Sequence, residues 1–330
     1  MRTEILPIDE KSLRLSKSII DGGGAVAFPT ETVYGLGANA FDNTAVEKVF
    51  AIKGRPNDNP LIVHVHKDYD LSELVTEIPK YAQALAKAYL PGPLTMVYKS
   101  RGKVCPAVSC GLDTLAVRVP SHDGAQKFLK YLNLPIAAPS ANISKHVSPV
   151  TAQHVFFDLD GRIELILDGG KCSGGIESTV LDCTGEKPVI LRSGLITREM
   201  LETVAGSCGE YVLKEGEKAR SPGMKYKHYS PSCDTKLFRF DELEMAVDEY
   251  NKSRSRGVKA YFLCDDKTAE LLNVDNVLNL GKTGEQIASN LYDKLREGER
   301  CAQLIIAIAP EEQGGVMKGV MNRLIKACGN

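Results

Sequence analysis

Ala25-Val-Ala-Phe-Pro-Thr-Glu-Thr-Val-Tyr-Gly-Leu-Gly37 joins an apolar run to a knot of hydroxyls, a carboxylate and two glycines. Consecutive apolar residues closed by proline predict a strand buried on both faces, since a strand with one wet face would alternate. A polar loop leaving such a strand is where α/β proteins hold ligands. Gly35-x-Gly37-x-x-Ala40 also fits the relaxed dinucleotide fingerprint, but six residues separate the strand from the first glycine and the next helical pattern waits until Thr44. An ordinary turn accounts for the glycines. It does not account for Thr30, Glu31, Thr32 and Tyr34 crowded together.

Outward from this loop, residues 44–53 place Ala45, Val46, Val49 and Phe50 on one helical face, and Gly54 suits a C-terminal cap. Strands are predicted over 61–65, 94–98, 115–119, 136–138, 178–182 and 189–192, with a hairpin turn over 184–188 and a helix over 123–132. Hairpins mixed with helices imply an α/β domain over 1–208 with a mixed sheet. Residues 209–233, rich in proline and charge without apolar periodicity, read as an interdomain linker. From 234 to 330 strands (236–240, 258–264, 277–280, 303–309) alternate with helices (241–253, 284–300, 317–327), which implies a smaller, Rossmann-like parallel α/β domain. It has no phosphate-binding glycine loop after its first strand and reads as a scaffold or lid.

Bulk properties narrow the function. At 330 residues the chain suits two domains, and 43% hydrophobic with 25% charged residues is ordinary for a soluble globular protein. A net charge of −1 gives no support to nucleic-acid binding through bulk charge. Residues 1–13 are too polar for a secretory signal and the apolar runs too short to span a bilayer, so a cytoplasmic location without membrane contact is expected. The nine cysteines are scattered without a C-x-x-C pair, and no His stands at metal-ligand spacing from Cys105 and Cys110. They read as buried or free thiols, and no protein metal site is expected.

Three clusters carry chemistry. The first is the loop already quoted. In the second, Lys53-Gly-Arg-Pro-Asn-Asp-Asn-Pro60, two cations at a helix end suit a polyphosphate, Arg offering a fork and Lys a point charge. A helix cap explains Lys53 equally well, and Arg55 less well. Asn59 and His64 frame the next strand. In the third, Pro139-Ser-Ala-Asn142, Ser140 and Asn142 can donate to ligand oxygens, and without a G-x-S-x-G elbow they read as binders. Arg118 and Arg192 interrupt apolar strands, so each is either in an internal ion pair or reading an anion.

Together the motifs PTETVYGLG (29–37), KGRP with NPL (53–61), PSAN (139–142), ESTV (177–180), LRSG (191–194) and SPGMKYKHYSP (221–231) resemble the threonylcarbamoyl-AMP synthases of the YrdC/YwlC family in their long two-domain form. The resemblance implies a YrdC-like, twisted open sheet with a large positive cavity. It implies that L-threonine, bicarbonate and ATP, with Mg2+, give threonylcarbamoyl-AMP and pyrophosphate. Downstream proteins then transfer the threonylcarbamoyl group to tRNAs that read ANN codons. By residue, Thr32, His64, Arg118, Ala138 and Ser178 would hold threonine. Arg55, Asn59, Thr114, Ser140, Ser148 and Arg192 would hold ATP, with Tyr229 or Ser230 capping it. Lys53, Arg55, Ser140 and Asn142 would form the catalytic phosphate cradle. Three other readings compete: a double-stranded RNA or tRNA-binding module without adenylation, a carbamoyltransferase resembling hydrogenase-maturation proteins, and a hydride-transfer enzyme on the Gly35 loop.

Overall fold

The computed structural model describes residues 2–211, 229–311 and 314–329. Among these, β1 (Glu4–Pro7), β2 (Val26–Phe28), β3 (Gly35–Asn39), β4 (Ile62–His64), β5 (Leu94–Lys99), β6 (Thr114–Arg118), β7 (Ile136–Ala138), β8 (Leu165–Asp168), β9 (Thr179–Asp182), β10 (Val189–Arg192) and β11 (Gly209–Glu210) make one sheet. Their spatial order is β1-β8-β2-β3-β7-β4-β6-β5-β9-β10-β11. Parallel pairs such as β4–β6 and antiparallel pairs such as β5–β6 coexist, as the mixture of hairpins and helices implied.

The opening stretch turns back on itself. β2 and β3 pair antiparallel with Phe28 opposite Gly35, so both glycines lie inside a strand and not in a phosphate-binding turn. Their use is steric. A Cβ at Gly37 would sit 2.5 Å from Ile136 Cγ2 and 2.9 Å from the Phe28 ring, so only glycine lets that ring lie across β3. The dinucleotide fingerprint is thereby corrected to a packing device.

The first predicted helix spans Asn43–Lys53. Asp42 caps it by accepting from Ala45 N at 3.1 Å, and Gly54, left-handed at φ 61°, ends it. That reversal sends Lys53 and Arg55 in different directions.

In the C-terminal part, β12 (Asp234–Phe238), β13 (Ala260–Cys264), β14 (Val277–Asn279) and β15 (Leu304–Ile308) form a parallel sheet in the order β12-β15-β13-β14. The helices Gly284–Cys301 and Met317–Cys328 lie between this sheet and the larger unit. Leu291, Tyr292, Val320 and Leu324 share one apolar core with Tyr34, Val147 and Ile176 on one side and Ile305 and Ala307 on the other. The stretch read as linker from 209 starts inside the large sheet, because β11 pairs with β10 and Tyr211 N donates to Ile190 O at 3.0 Å. Lys218, Arg220, Lys225, Lys227 and His228 lie outside the described residues. All nine cysteines are free thiols, and burial pushes Cys172 and Cys264 up to about 12, so those two pack as small apolar groups.

Candidate active site

The loops after β2 and β7 and the ends of β4, β6 and β10 line a cavity of about 80 Å3. Three guanidinium groups, those of Arg55, Arg118 and Arg192, stand on its wall.

One side is built by strand register. β4 sets His64 beside Arg118, and β5 sets Thr95 on the far side of Arg118. Arg118 Nη2 lies 2.8 Å from Glu31 Oε1, but out of line for a hydrogen bond. Arg118 Nε and Nη2 and both Glu31 oxygens are buried without a hydrogen-bond partner. Charge is balanced there while directional bonding is not, so the guanidinium has donors that a carboxylate could engage. Ser178 Oγ lies 2.8 Å from Thr95 Oγ1 and takes a hydrogen bond from Arg192 Nη2 at 3.2 Å. His64 packs edge-on to Phe28, ring centroids 5.7 Å apart, with Nδ1 3.2 Å from Ile62 O. Burial, then the Arg118 charge, lowers its pKa to about 3, so the imidazole is neutral. An NMR titration should therefore show His64 neutral from pH 8 down to about pH 4. Imidazolium at pH 6 would contradict this geometry.

The other side is a tied loop. Ser140 Oγ donates to Asn142 Oδ1 at 2.5 Å, and Asn142 Nδ2 donates to Ile143 O and His146 O, each at 2.8 Å. Beneath it Lys53 Nζ donates to the Ser140 and Asn142 carbonyls, each at 2.5 Å. Burial, with the Arg55 charge next, pulls the lysine pKa well down. Arg55 instead turns toward the cavity, its Nη2 on Asn59 O at 2.8 Å and its guanidinium over the Phe50 ring.

Ser148 Oγ donates to Glu177 Oε1 at 2.7 Å, and both line the cavity. Burial alone would raise the Glu177 pKa; Arg323, then Arg192, and the Ser148 hydroxyl hold it at about 2.

The structure thus brings Arg55, His64, Arg118, Ala138, Ser140, Asn142, Ser148, Ser178, Arg192 and Tyr229 to one cavity. The remaining expected residues sit elsewhere. Lys53, expected in the phosphate cradle, is off the wall: a cation 2% exposed has to find acceptors, and two loop carbonyls supply them. Thr32 is fully buried behind the wall with its hydroxyl 2.9 Å from that of Thr30. Asn59 lies beside Arg55 with its own amide buried and unpartnered. Thr114 begins β6 opposite Lys99, four residues from the end that carries Arg118. Ser230 bridges backbone to His146 and Lys145.

Residue reasoning passed over Glu177 as a site group, along with Thr95, His146, Tyr292 and Arg323. Glu177 stood in a quoted motif. Arg323 and Arg296 had a weaker signal, each being a charge on the apolar face of a helix.

The fold and cavity define an α/β protein with an arginine-lined cavity. Residues 18–194 match the protein family described as telomere recombination, which groups Sua5, YciO and YrdC, and residues 196–329 match the threonylcarbamoyl-AMP synthase C-terminal domain. Pyrococcus abyssi threonylcarbamoyl-AMP synthase is 43% identical, aligning over 98% of this chain and 95% of its own. The Bacillus subtilis threonylcarbamoyl-AMP synthase is 40% identical, over 99% and 96%. The crystal structure of P. abyssi Sua5 complexed with L-threonine superposes with a TM-score of 0.91 at 42% identity, covering 99% of this chain and 98% of that one. Escherichia coli YciO shares the fold of the larger unit, with a TM-score of 0.51 at 24% identity over 58% of this chain and 95% of its own. The chain belongs to the Sua5/YciO/YrdC family, in the form that carries the synthase C-terminal domain.

Proposed function

We propose that this chain is an L-threonylcarbamoyladenylate synthase and that the arginine-lined cavity is where it joins L-threonine, bicarbonate and ATP. One observation carries the assignment of the reaction to this cavity. Three guanidinium groups share one cavity wall with a neutral imidazole and a row of hydroxyls, which suits an amino-acid carboxylate and a polyphosphate held together.

On this reading Arg118 takes the threonine carboxylate. His64, the Ala138 backbone and Ser178 surround the rest of the amino acid, while Thr32 supports them through Thr30. Ser140, Asn142, Ser148 and Arg192 hold the nucleotide with Arg55, and Tyr229 covers it. Asn59 fixes Arg55, and Lys53 fixes the loop that carries Ser140. Thr114 and Ser230 touch the substrates only if the chain moves on binding. Residues 1–208 carry the site, Tyr229 of the 209–233 stretch lines it, and 234–330 back it.

The chemistry needs no protein nucleophile. The threonine amine condenses with bicarbonate to a carbamate with loss of water. A carbamate oxygen then attacks the α-phosphorus of ATP, forming a new P–O bond as the bond to pyrophosphate breaks. Positioning, charge neutralisation by Arg55 and Arg192, and exclusion of water favour the attack before the carbamate reverts. Among the described residues no group of three or more His, Cys, Asp and Glu side chains gathers to hold a metal. The donor set fits Mg2+ only as a passenger on the ATP phosphates, where it would neutralise charge.

No helix among the described residues is long and apolar enough to cross a membrane, and a cytoplasmic location accords with that. The product is a reactive mixed anhydride, which calls for downstream transfer proteins that carry the group to tRNA. The RNA-binding alternative lacks support in the site: Arg118 and Arg192 are 4% and 8% exposed and aim inward, where an RNA backbone cannot reach. The test is product mass. With 13C-bicarbonate, ATP and L-threonine, threonylcarbamoyl-AMP should appear one mass unit heavier than with unlabelled bicarbonate. A nucleotide product without the label would overturn the proposal.

A further inference from the structure

We infer that Tyr292 and Arg323, both on C-terminal helices, are positioning residues for the nucleotide half of the site, acting through Glu177. The inference rests on the assignment of Ser148, Arg192 and Tyr229 to ATP.

The contacts converge on one carboxylate. Tyr292 Oη donates to both Glu177 oxygens, at 3.2 and 3.0 Å, and Arg323 Nε donates to Oε2 at 3.0 Å. Glu177 in turn accepts from Ser148, whose hydroxyl lines the cavity. Arg323 Nη1 reaches forward to Ser193 O at 2.5 Å, the residue after Arg192. Tyr292 also lies against Tyr229, ring centroids 5.3 Å apart and 32° from coplanar. Ser148, Arg192 and Tyr229, three of the residues given to the nucleotide, therefore lean on two side chains contributed by the C-terminal unit.

The backbones meet equally closely. A Cβ at Gly175 would fall 2.3 Å from Ala288 O, and one at Gly319 would fall 3.2 Å from Gly194 Cα. The loops bearing Glu177 and Arg192 are thus seated directly on the helices Gly284–Cys301 and Met317–Cys328. Tyr292 and Arg323 are wholly buried, so neither can reach a ligand without unpacking, and a role in substrate contact is excluded for both. What they can set is the direction of the Glu177 oxygens, hence of the Ser148 hydroxyl, and the electrostatic field at Arg192. A buried, fully bonded polar network fixes orientation because any unmade bond in it is costly.

The test uses the full chain and four variants: Tyr292→Phe, which keeps the ring, Arg323→Gln, Arg323→Lys, which keeps the charge, and Glu177→Gln. Fold is checked by circular dichroism and melting temperature. Binding of a non-hydrolysable ATP analogue and of L-threonine is measured separately by calorimetry, beside the kinetic constants for each substrate. Tyr292→Phe and Arg323→Gln should weaken analogue binding and raise the ATP KM about tenfold, with threonine affinity within about twofold and partial recovery in Arg323→Lys. A lower melting temperature with analogue affinity unchanged would reduce these residues to mere domain glue and overturn the inference. Equal losses for both substrates would overturn it too. Wild-type protein that binds the analogue yet makes no product would defeat the synthase assignment, while the affinities still decide this one.

Discussion

Replacing Arg118 with alanine is expected to weaken L-threonine binding by roughly 30-fold or more, with ATP-analogue binding far less affected. Truncating one member of a buried charged contact costs about 2–5 kcal/mol, which sets that scale. Arg118 is the cavity guanidinium set between His64 and Thr95, and its Nε and Nη2 lack directional partners inside the protein. A carboxylate ligand supplies what Glu31 does not. The substitution also strands Glu31 in a buried setting, so instability could imitate lost binding. Arg118→Met combined with Glu31→Gln removes both charges and separates the two effects. Calorimetry with L-threonine is the check. Near-native affinity in the double variant would show that the carboxylate is bound elsewhere.

The second large effect concerns stability. Asp158 accepts from Arg296 Nη1 and Nη2 at 2.7 and 2.8 Å, with both side chains nearly solvent-free, and thereby ties the large unit to the helix Gly284–Cys301. Asp158→Ala leaves Arg296 buried and underpaired, and a loss of about 3–5 kcal/mol in urea unfolding is expected. The same tie predicts an acid limit. Against the cost of burial, the hydrogen bonds from Arg296 and the nearby His146 ring, 3.6 Å away, lower the Asp158 pKa from 3.8 to about 2, and Glu177 falls from 4.5 to about 2. A carboxylate lowered on folding contributes stability that is full above its unfolded pKa and is lost as pH falls through the folded one. The two groups therefore add of order 2–3 kcal/mol each above about pH 4.5, and the gain disappears by about pH 2. Urea midpoints should begin to fall below about pH 6.5, where an unfolded histidine protonates and the buried His64 does not, and fall further below pH 4 as the two carboxylates protonate. A midpoint unchanged at pH 3 would contradict both pKa values.

These cases also show where the sequence stops being informative. Strands such as Val26–Phe28 and Ile136–Ala138, and the polar loops after them, were legible because burial and turn chemistry are local. The C-terminal βα alternation was legible for the same reason. Direction was not. Lys53 and Arg55 were both expected in the phosphate cradle, yet the left-handed turn at Gly54 sends one beneath the Ser140 loop and the other to the cavity. Long-range partners were hidden as well: 146 residues separate Glu177 from Arg323, and 138 separate Asp158 from Arg296. A buried arginine on an apolar helix face announces that a partner exists without naming it. Thr114 and Ser230 were assigned by motif position alone, and they lie off the cavity wall.

The measurement that tests the central claim most directly is pyrophosphate release from ATP with L-threonine and bicarbonate supplied together, singly, or not at all, in the wild type and in Arg55→Ala. Release that requires both co-substrates and falls at least about a hundredfold in the variant is the predicted result, since the proposal assigns Arg55 to the transferring phosphate. Release that is indifferent to threonine, or as fast in Arg55→Ala as in the wild type, would contradict the assignment of adenylate formation to this cavity.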